Sequence, residues 1–298
     1  MASYIIPILY MVLILIWGST WIAIKVSVGV TPFLMASLRF LLAGFVLVLY
    51  QKMRKKAILP GRDHLHLILA LGLGNFFIGY GLTYWGMQYV NSNITSILWT
   101  TLPVMIALFA HVMLKNEKIN TSSIFSLLGS IIGTLFIFDL RGASFDPQVA
   151  KGMLIILVSI FAAAYPNVLY KRDGKNLDPV AANASAMMIG AVLLLITGLA
   201  TESVSDVELN TMTLSATVYL AIFGSAIGFT IYFWLVNRVT IVKMSYTTFL
   251  IPIWASILGW VLLGEQLTSN ALLGAVIIIL SVSLPEFLRS RRFISNAK

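Results

Sequence analysis

The sequence predicts an all-α integral membrane protein of ten transmembrane helices, built as two five-helix repeats of inverted topology. Composition, a duplicated stretch and the placement of basic residues carry that prediction. Hydrophobic residues make up 59% of the 298-residue chain and charged residues 10%, against roughly a quarter charged in a soluble domain. A chain so poor in charge cannot cover a water-soluble fold.

The duplication is read from matched landmarks. One copy runs from Tyr84-Trp85 through Val90, Ser96 and Trp99 to Leu102-Pro103 and Asn116-Glu117; the other runs from Phe233-Trp234 through Val239, Ser245 and Thr248 to Ile251-Pro252 and Gly264-Glu265. Tryptophan to proline is 18 positions in both, and proline to glutamate is 14 and 13. Leu127-Leu128-Gly129 and Leu272-Leu273-Gly274 follow, so the period is near 148 residues, half the chain. A period of half the length means two structural repeats. The expected organisation is a first repeat over 1–140, an outer linker over 141–151 and a second repeat over 152–298.

A helix needs about 20 apolar residues to cross a hydrocarbon core of roughly 30 Å. Ten runs qualify: 5–27, 32–51, 65–87, 93–114, 122–138, 152–170, 180–200, 213–236, 244–263 and 270–287. The first lacks a basic n-region and runs past Trp17 to Ala23, which suits a spanning helix rather than a signal peptide. Basic residues are retained in the cytoplasm. With the N-terminus inside, 16 of the 20 Lys and Arg fall in cytoplasmic segments, among them Lys55, Arg62, Lys118, Lys175 and Arg238, while Lys25, Arg141 and Lys151 fall outside and Arg39 lies in the second helix. Both termini are therefore expected in the cytoplasm. Five helices per repeat is an odd number, so the second repeat enters from the opposite side, a plan of secondary transporters whose site lies near mid-membrane.

This distribution accounts for the net charge of +9 without a nucleic-acid partner. The partners expected are the lipid bilayer and a small-molecule substrate, with the oligomeric state open between monomer and homodimer. There is no cysteine, and His111 lacks the neighbours a metal site needs, so no cofactor or metal is expected.

Candidate site residues are those whose chemistry is unusual at their depth. At 1.5 Å per residue, Trp17 lies about 18 Å into its helix, Trp254 about 15 Å and Tyr165 about 20 Å. Amphipathic rings that far from the interfaces suit a cavity wall as well as helix packing. Tyr80, Tyr84, Trp99 and Tyr246 are further aromatic candidates nearer the helix ends. Arg39, about 10 Å from the outer end of its helix, is the strongly charged side chain well inside a span; it serves a substrate carboxylate, anchors a helix carbonyl or snorkels outward. Thr20, Asn75 and Asn167 are polar groups able to bond either a ligand or a neighbouring helix. Pro103, Pro166 and Pro252 free the carbonyls of Trp99, Ala162 and Thr248 and are candidate hinges. Gly129 with Gly133, and Gly224 with Gly228, read as close-packing pairs. Glu117 and Glu265 are expected to cap the helix that follows each.

The ten helices, the inverted repeat, Trp17-Gly18-Ser19-Thr20, Arg39-Phe40, the paired prolines and the two Glu-to-Leu-Leu-Gly segments together resemble the drug/metabolite transporter superfamily, EamA type. The resemblance implies a bacterial inner-membrane carrier that exports amino acids or other small metabolites through a central cavity. At an offset of 147 the counterparts of Trp17 and Arg39 are Ala164 and Ala186, so it does not extend to symmetric binding by the two halves.

All eleven acidic residues fall in loops or at helix ends. Proton-driven pumps commonly hold an intramembrane carboxylate, so movement down a substrate gradient, or coupling through a group other than a carboxylate, is expected. An exchanger of phosphorylated or nucleotide-linked sugars is the alternative within the fold and requires more cavity cations than Arg39 and Lys25 supply. An intramembrane enzyme, the alternative of another class, requires clustered carboxylates for a metal.

Overall fold

The structure, a computed structural model, describes residues 2–90, 92–117, 119, 121–137, 146–263 and 269–295, among which there is no strand. The first half contains α1 (Ala2–Val28), α2 (Pro32–Met53), α3 (Leu65–Ala70), α4 (Tyr80–Gly86), α5 (Ser92–Trp99), α6 (Leu102–Met113) and α7 (Thr121–Ile137). The second contains α8 (Pro147–Asp173), α9 (Pro179–Thr201), α10 (Thr211–Tyr219), α11 (Gly228–Val236), α12 (Ile241–Ser245), α13 (Thr247–Leu263) and α14 (Ser269–Ser295).

Seven helical stretches among the described residues are long and apolar enough to span a membrane: Tyr4–Val28, Pro32–Met53, Arg62–Gly86, Ile94–Met113, Pro147–Asp173, Pro179–Thr201 and Thr211–Val236. The chain is thus a multi-pass membrane protein. The remaining three expected runs are helical in α7, in α12 with α13, and in α14, but α7 and the apolar part of α14 are shorter. Arg141, Lys118 and Glu265 lie outside the described residues.

Helix starts are written locally. Asp146 and Asp178 accept hydrogen bonds from Gln148 N and Val180 N at 2.8 and 2.9 Å, each followed by proline at the first helical position. An acceptor cap followed by proline satisfies an orphan donor and supplies a pre-set φ. Because α8 starts at Pro147, residues 147–151 are its opening turn rather than the linker expected there.

Two of the seven spans are interrupted by π-helical turns, Leu71–Gly79 between α3 and α4 and Leu220–Ile227 between α10 and α11. The offset of 149 residues that relates Trp85 to Trp234 also takes Leu71 to Leu220. The distortion is therefore a property of the repeat.

Packing follows the same relation. α2 lies along α9, and α7 along α14; the 71–79 turn packs on α8 and α9, while the 220–227 turn packs on α1 and α2; α6 meets α8, and α13 meets α1. Exchanging the halves maps α2–α9 and α7–α14 onto themselves and the other contacts onto one another. Glycines set the closeness: a Cβ at Gly133 would lie 2.7 Å from the Gly274 carbonyl, and one at Gly152 would lie 3.1 Å from that of Gly86. Most buried side chains form one large core, and a smaller one holds Ala107, Leu127, Tyr246, Phe249 and Ile278. Leu, Ile, Val and Phe cover much of the outside, as a lipid-facing surface requires.

Candidate functional site

Both halves line one central cavity. Trp17, Thr20, Trp21 and Ile24 come from α1, Arg39 from α2, Asn75 and Tyr80 from the third span, and Ser96, Trp99 and Leu102 from the fourth. The second half supplies Asn167, Phe229, Tyr232, Ser245, Thr247, Thr248 and Ile251. The cavity volume is about 60 Å³.

The π-helical turn explains how Asn75 and Tyr80 share this wall. Five residues apart, they would diverge on an α-helix. Here the Tyr80 amide donates to the Asn75 carbonyl, the five-residue bond of a π-helix, and stacks one residue over the other.

Arg39 is 2% exposed. Its Nε donates to Ser225 Oγ at 2.8 Å and Nη1 to Tyr84 Oη at 3.3 Å. The guanidinium also lies 5.0 and 5.1 Å from the ring centres of Tyr80 and Phe40. These partners are neutral, and among the described residues none of the ion pairs involves Arg39. It does not snorkel.

Trp17 donates from Nε1 to the Gly224 carbonyl at 3.2 Å, and its ring lies 5.3 Å from those of both Phe229 and Tyr232. Thr20 Oγ1 donates to the Trp17 carbonyl at 2.7 Å. Asn167 Nδ2 donates to the Ala163 carbonyl at 2.6 Å and to Asn75 Oδ1 at 3.4 Å. The carbonyl fixes the orientation of that amide, since Oδ1 in its place would repel. Asn167 Oδ1, Asn75 Nδ2, Ser96 Oγ and Trp99 Nε1 are buried without a partner among the described residues. Such groups are costly to leave unpaired, so their gathering on one wall marks it as a place for a polar solute.

Of the residues singled out from the sequence, Trp17, Thr20, Arg39, Asn75, Tyr80, Trp99 and Asn167 border the cavity. Tyr84 stands behind it as a partner of Arg39. Tyr165 does not border it: the ring is 44% exposed and packs on Phe109 at 5.7 Å, because depth along a helix says nothing about which face a residue occupies. Tyr246 turns into the smaller core against Phe249. Trp254 packs over Gly18, where a Cβ would approach its Cδ1 to 2.6 Å, so Gly18 provides the seat that joins α13 to α1.

The prolines occupy different settings. Pro103 sits in the first turn of α6, just past the break at Thr100-Thr101, while Pro166 and Pro252 lie inside α8 and α13. The Ala162 carbonyl freed by Pro166 faces Gly74, 3.0 Å from where a Cβ would be, not the amide of Asn167.

Lining residues that the sequence reading missed were marked by the repeat itself. At the 149-residue offset Tyr80 pairs with Phe229, Ser96 with Ser245, Trp99 with Thr248 and Leu102 with Ile251, and all eight line the cavity. Most of these landmarks reveal the duplication; they are also its wall. Trp21 and Tyr232 carried no comparable signal.

At one end of the bundle the halves are tied together. Tyr10 Oη donates to the Lys243 carbonyl at 2.9 Å, and Glu117 Oε2 accepts from Ile241 N at 2.7 Å. Lys171 Nζ donates to the Val236 and Val239 carbonyls at 2.7 and 2.6 Å and lies 3.8 Å from Glu117 Oε1. Glu117 thus caps α12 in the other half, not the helix that follows it. Burial pushes its carboxyl above the ordinary 4.5, against the opposing pull of Ile241 N and Lys171. Glu202 similarly accepts from Phe33 N and Leu34 N at 2.8 and 2.9 Å, capping α2.

The EamA-like transporter family model matches the chain twice, over residues 5–139 and 150–285. The chain belongs to that family. It is similar to the uncharacterized transporter YoaV of Bacillus subtilis (strain 168), 32% identical over 93% of this chain and 95% of that one. It is also similar to the uncharacterized transporter YvbV of the same organism, at 28% identity over 91% and 88%, and to protein PagO of Salmonella typhimurium, at 24% over 94% and 92%. A crystal structure 17% identical in sequence superposes with a TM-score of 0.82 over 95% of this chain and 97% of that one, which shows the fold. The EamA-type resemblance read from the motifs therefore holds, and the EamA-like chain described here is a membrane transporter.

Proposed function

We propose that this EamA-like protein is a ten-helix carrier of a bacterial inner membrane, with both termini cytoplasmic, that exports small metabolites such as amino acids by alternating access. The central cavity carries the reading, because its wall is assembled from repeat-related positions of two halves. Packing that maps onto itself when the halves are exchanged supports two five-helix units, and an odd helix number per unit supports their inversion. The asymmetry of Lys and Arg supports the orientation. The described residues that line the cavity include no carboxylate, which favours movement down the substrate's own gradient and disfavours metal-dependent chemistry.

The absence of cysteine makes the topology directly testable. Single cysteines at Lys55 and Lys175 are expected to react with an impermeant maleimide from the same, cytoplasmic, face. Reaction from opposite faces would overturn the inverted arrangement. Proteoliposome flux across a panel of labelled amino acids, sugars and nucleosides is expected to be saturable for one class and indifferent to an imposed proton gradient. Stimulation by that gradient would remove the gradient-only part of the proposal.

A further inference from the structure

The charge of Arg39 has a consequence for the substrate, and drawing it rests on the carrier reading. A guanidinium keeps its proton in a protein interior, and burying a charge without a counter-charge is costly. Ser225, Tyr84, Tyr80 and Phe40 solvate this one but do not neutralise it. Nη2 packs beside Gly224, where a methyl group would lie 3.4 Å from Nη2 and 3.0 Å from Thr20 Cγ2. Glycine lets Arg39 and Thr20 pack that closely against the 220–227 turn.

Among the described residues the cavity wall contains no Asp, Glu, Lys or His and no arginine besides Arg39. One cation matches one negative charge. A phosphate dianion would carry a second charge into the same apolar space, and an organic cation would meet only repulsion. Rings of Trp17, Trp21, Trp99, Phe229 and Tyr232 flank the space and favour a flat apolar body. The unpartnered Asn75 Nδ2 and Trp99 Nε1 offer donors, and Asn167 Oδ1 and Ser96 Oγ offer acceptors.

We infer that the substrate is a small monocarboxylate, its carboxylate seated on Arg39 where that side chain borders the cavity, its flat body between the rings, and a second polar group received by the Asn75–Asn167 amides. Arginine presents paired N–H donors that fit a carboxylate. Charge selection then resides in one side chain.

The test uses four probes on one skeleton, phenylacetate, phenylacetamide, phenethylamine and phenyl phosphate, titrated against the full-length purified protein by thermal shift at neutral pH. Phenylacetate is expected to bind at least ~10-fold more tightly than the other three, a difference of about 1.4 kcal/mol. Arg39→Gln should abolish that preference and Arg39→Lys should retain part of it. Gly224→Ala, which removes no polar group, should weaken phenylacetate ~10-fold and serves if Arg39→Gln does not fold. Equal binding of the amide or amine, an undiminished preference in both Arg39→Gln and Gly224→Ala, or no shift with any probe would overturn the inference. Proteoliposome flux separates the two levels: saturable transport of a solute lacking a carboxylate would sink the charge assignment and leave the carrier, whereas no saturable flux of any solute would sink the carrier.

Discussion

Arg39 Nε donates to Ser225 Oγ at 2.8 Å, joining α2 of the first half to the π-helical turn of the second. The contact aims the guanidinium from across the repeat interface, so the cavity's one arginine is positioned by both halves. Hydrogen bonds to charged groups are worth about 1.5–3 kcal/mol. Ser225→Ala is expected to lower phenylacetate affinity ~10-fold with little loss of helix content, while Ser225→Thr, which keeps the hydroxyl, should retain it. Isothermal titration of the two variants checks the pair.

Tyr165 and Trp17 were equally attractive by depth and are separated by the fold. Tyr165 faces outward against Phe109 and Phe161, whereas Trp17 borders the cavity. Tyr165→Phe is expected to leave the KM for flux within about twofold, as for a surface substitution, and Trp17→Ala to raise it ~10-fold or more. A larger effect at Tyr165 would mean that its face, not the central cavity, meets the solute.

The α7–α14 pair should be intolerant of bulk. A methyl group at Gly133 would press on the Gly274 carbonyl at 2.7 Å and on Ile278 N at 3.0 Å, backbone atoms that move only if the helices part. Gly133→Ala is expected to destabilise by about 1–3 kcal/mol, as overpacking does, with a lower Tm in detergent as the readout.

Glu117 gives a pH signature with a definite sign. Its carboxyl is raised above the ordinary 4.5 by burial, so between 4.5 and the raised value the folded state holds more protons than the unfolded chain. Stability from this group is fully present below 4.5 and is lost as pH rises through the raised value. Glu117→Gln keeps an oxygen for Ile241 N and removes the titration. The fall in Tm across that window should therefore be shallower in the variant than in the parent, which paired melts across the window measure.

How much was legible in the sequence follows from what each feature depends on. The membrane-spanning character, the duplication and the uneven placement of basic residues are written in composition and spacing, because lipid forces each span to satisfy its own backbone and basic residues resist translocation. Arg39 and the polar positions Asn75 and Asn167 stood out for the same reason, as groups too costly to sit in lipid without a purpose. Which face of a helix an aromatic occupies is not written there. Tyr165, Tyr246 and Trp254 left the cavity, and Tyr232 and Phe229 entered it, because helix rotation is fixed by glycine seats such as Gly18 and Gly152 and by π-helical turns that reset the phase between Asn75 and Tyr80. Those turns and seats exist only when two helices meet. The chain alone determined what must cross the membrane and how often the plan repeats; tertiary packing decided which side chains face the space between the halves.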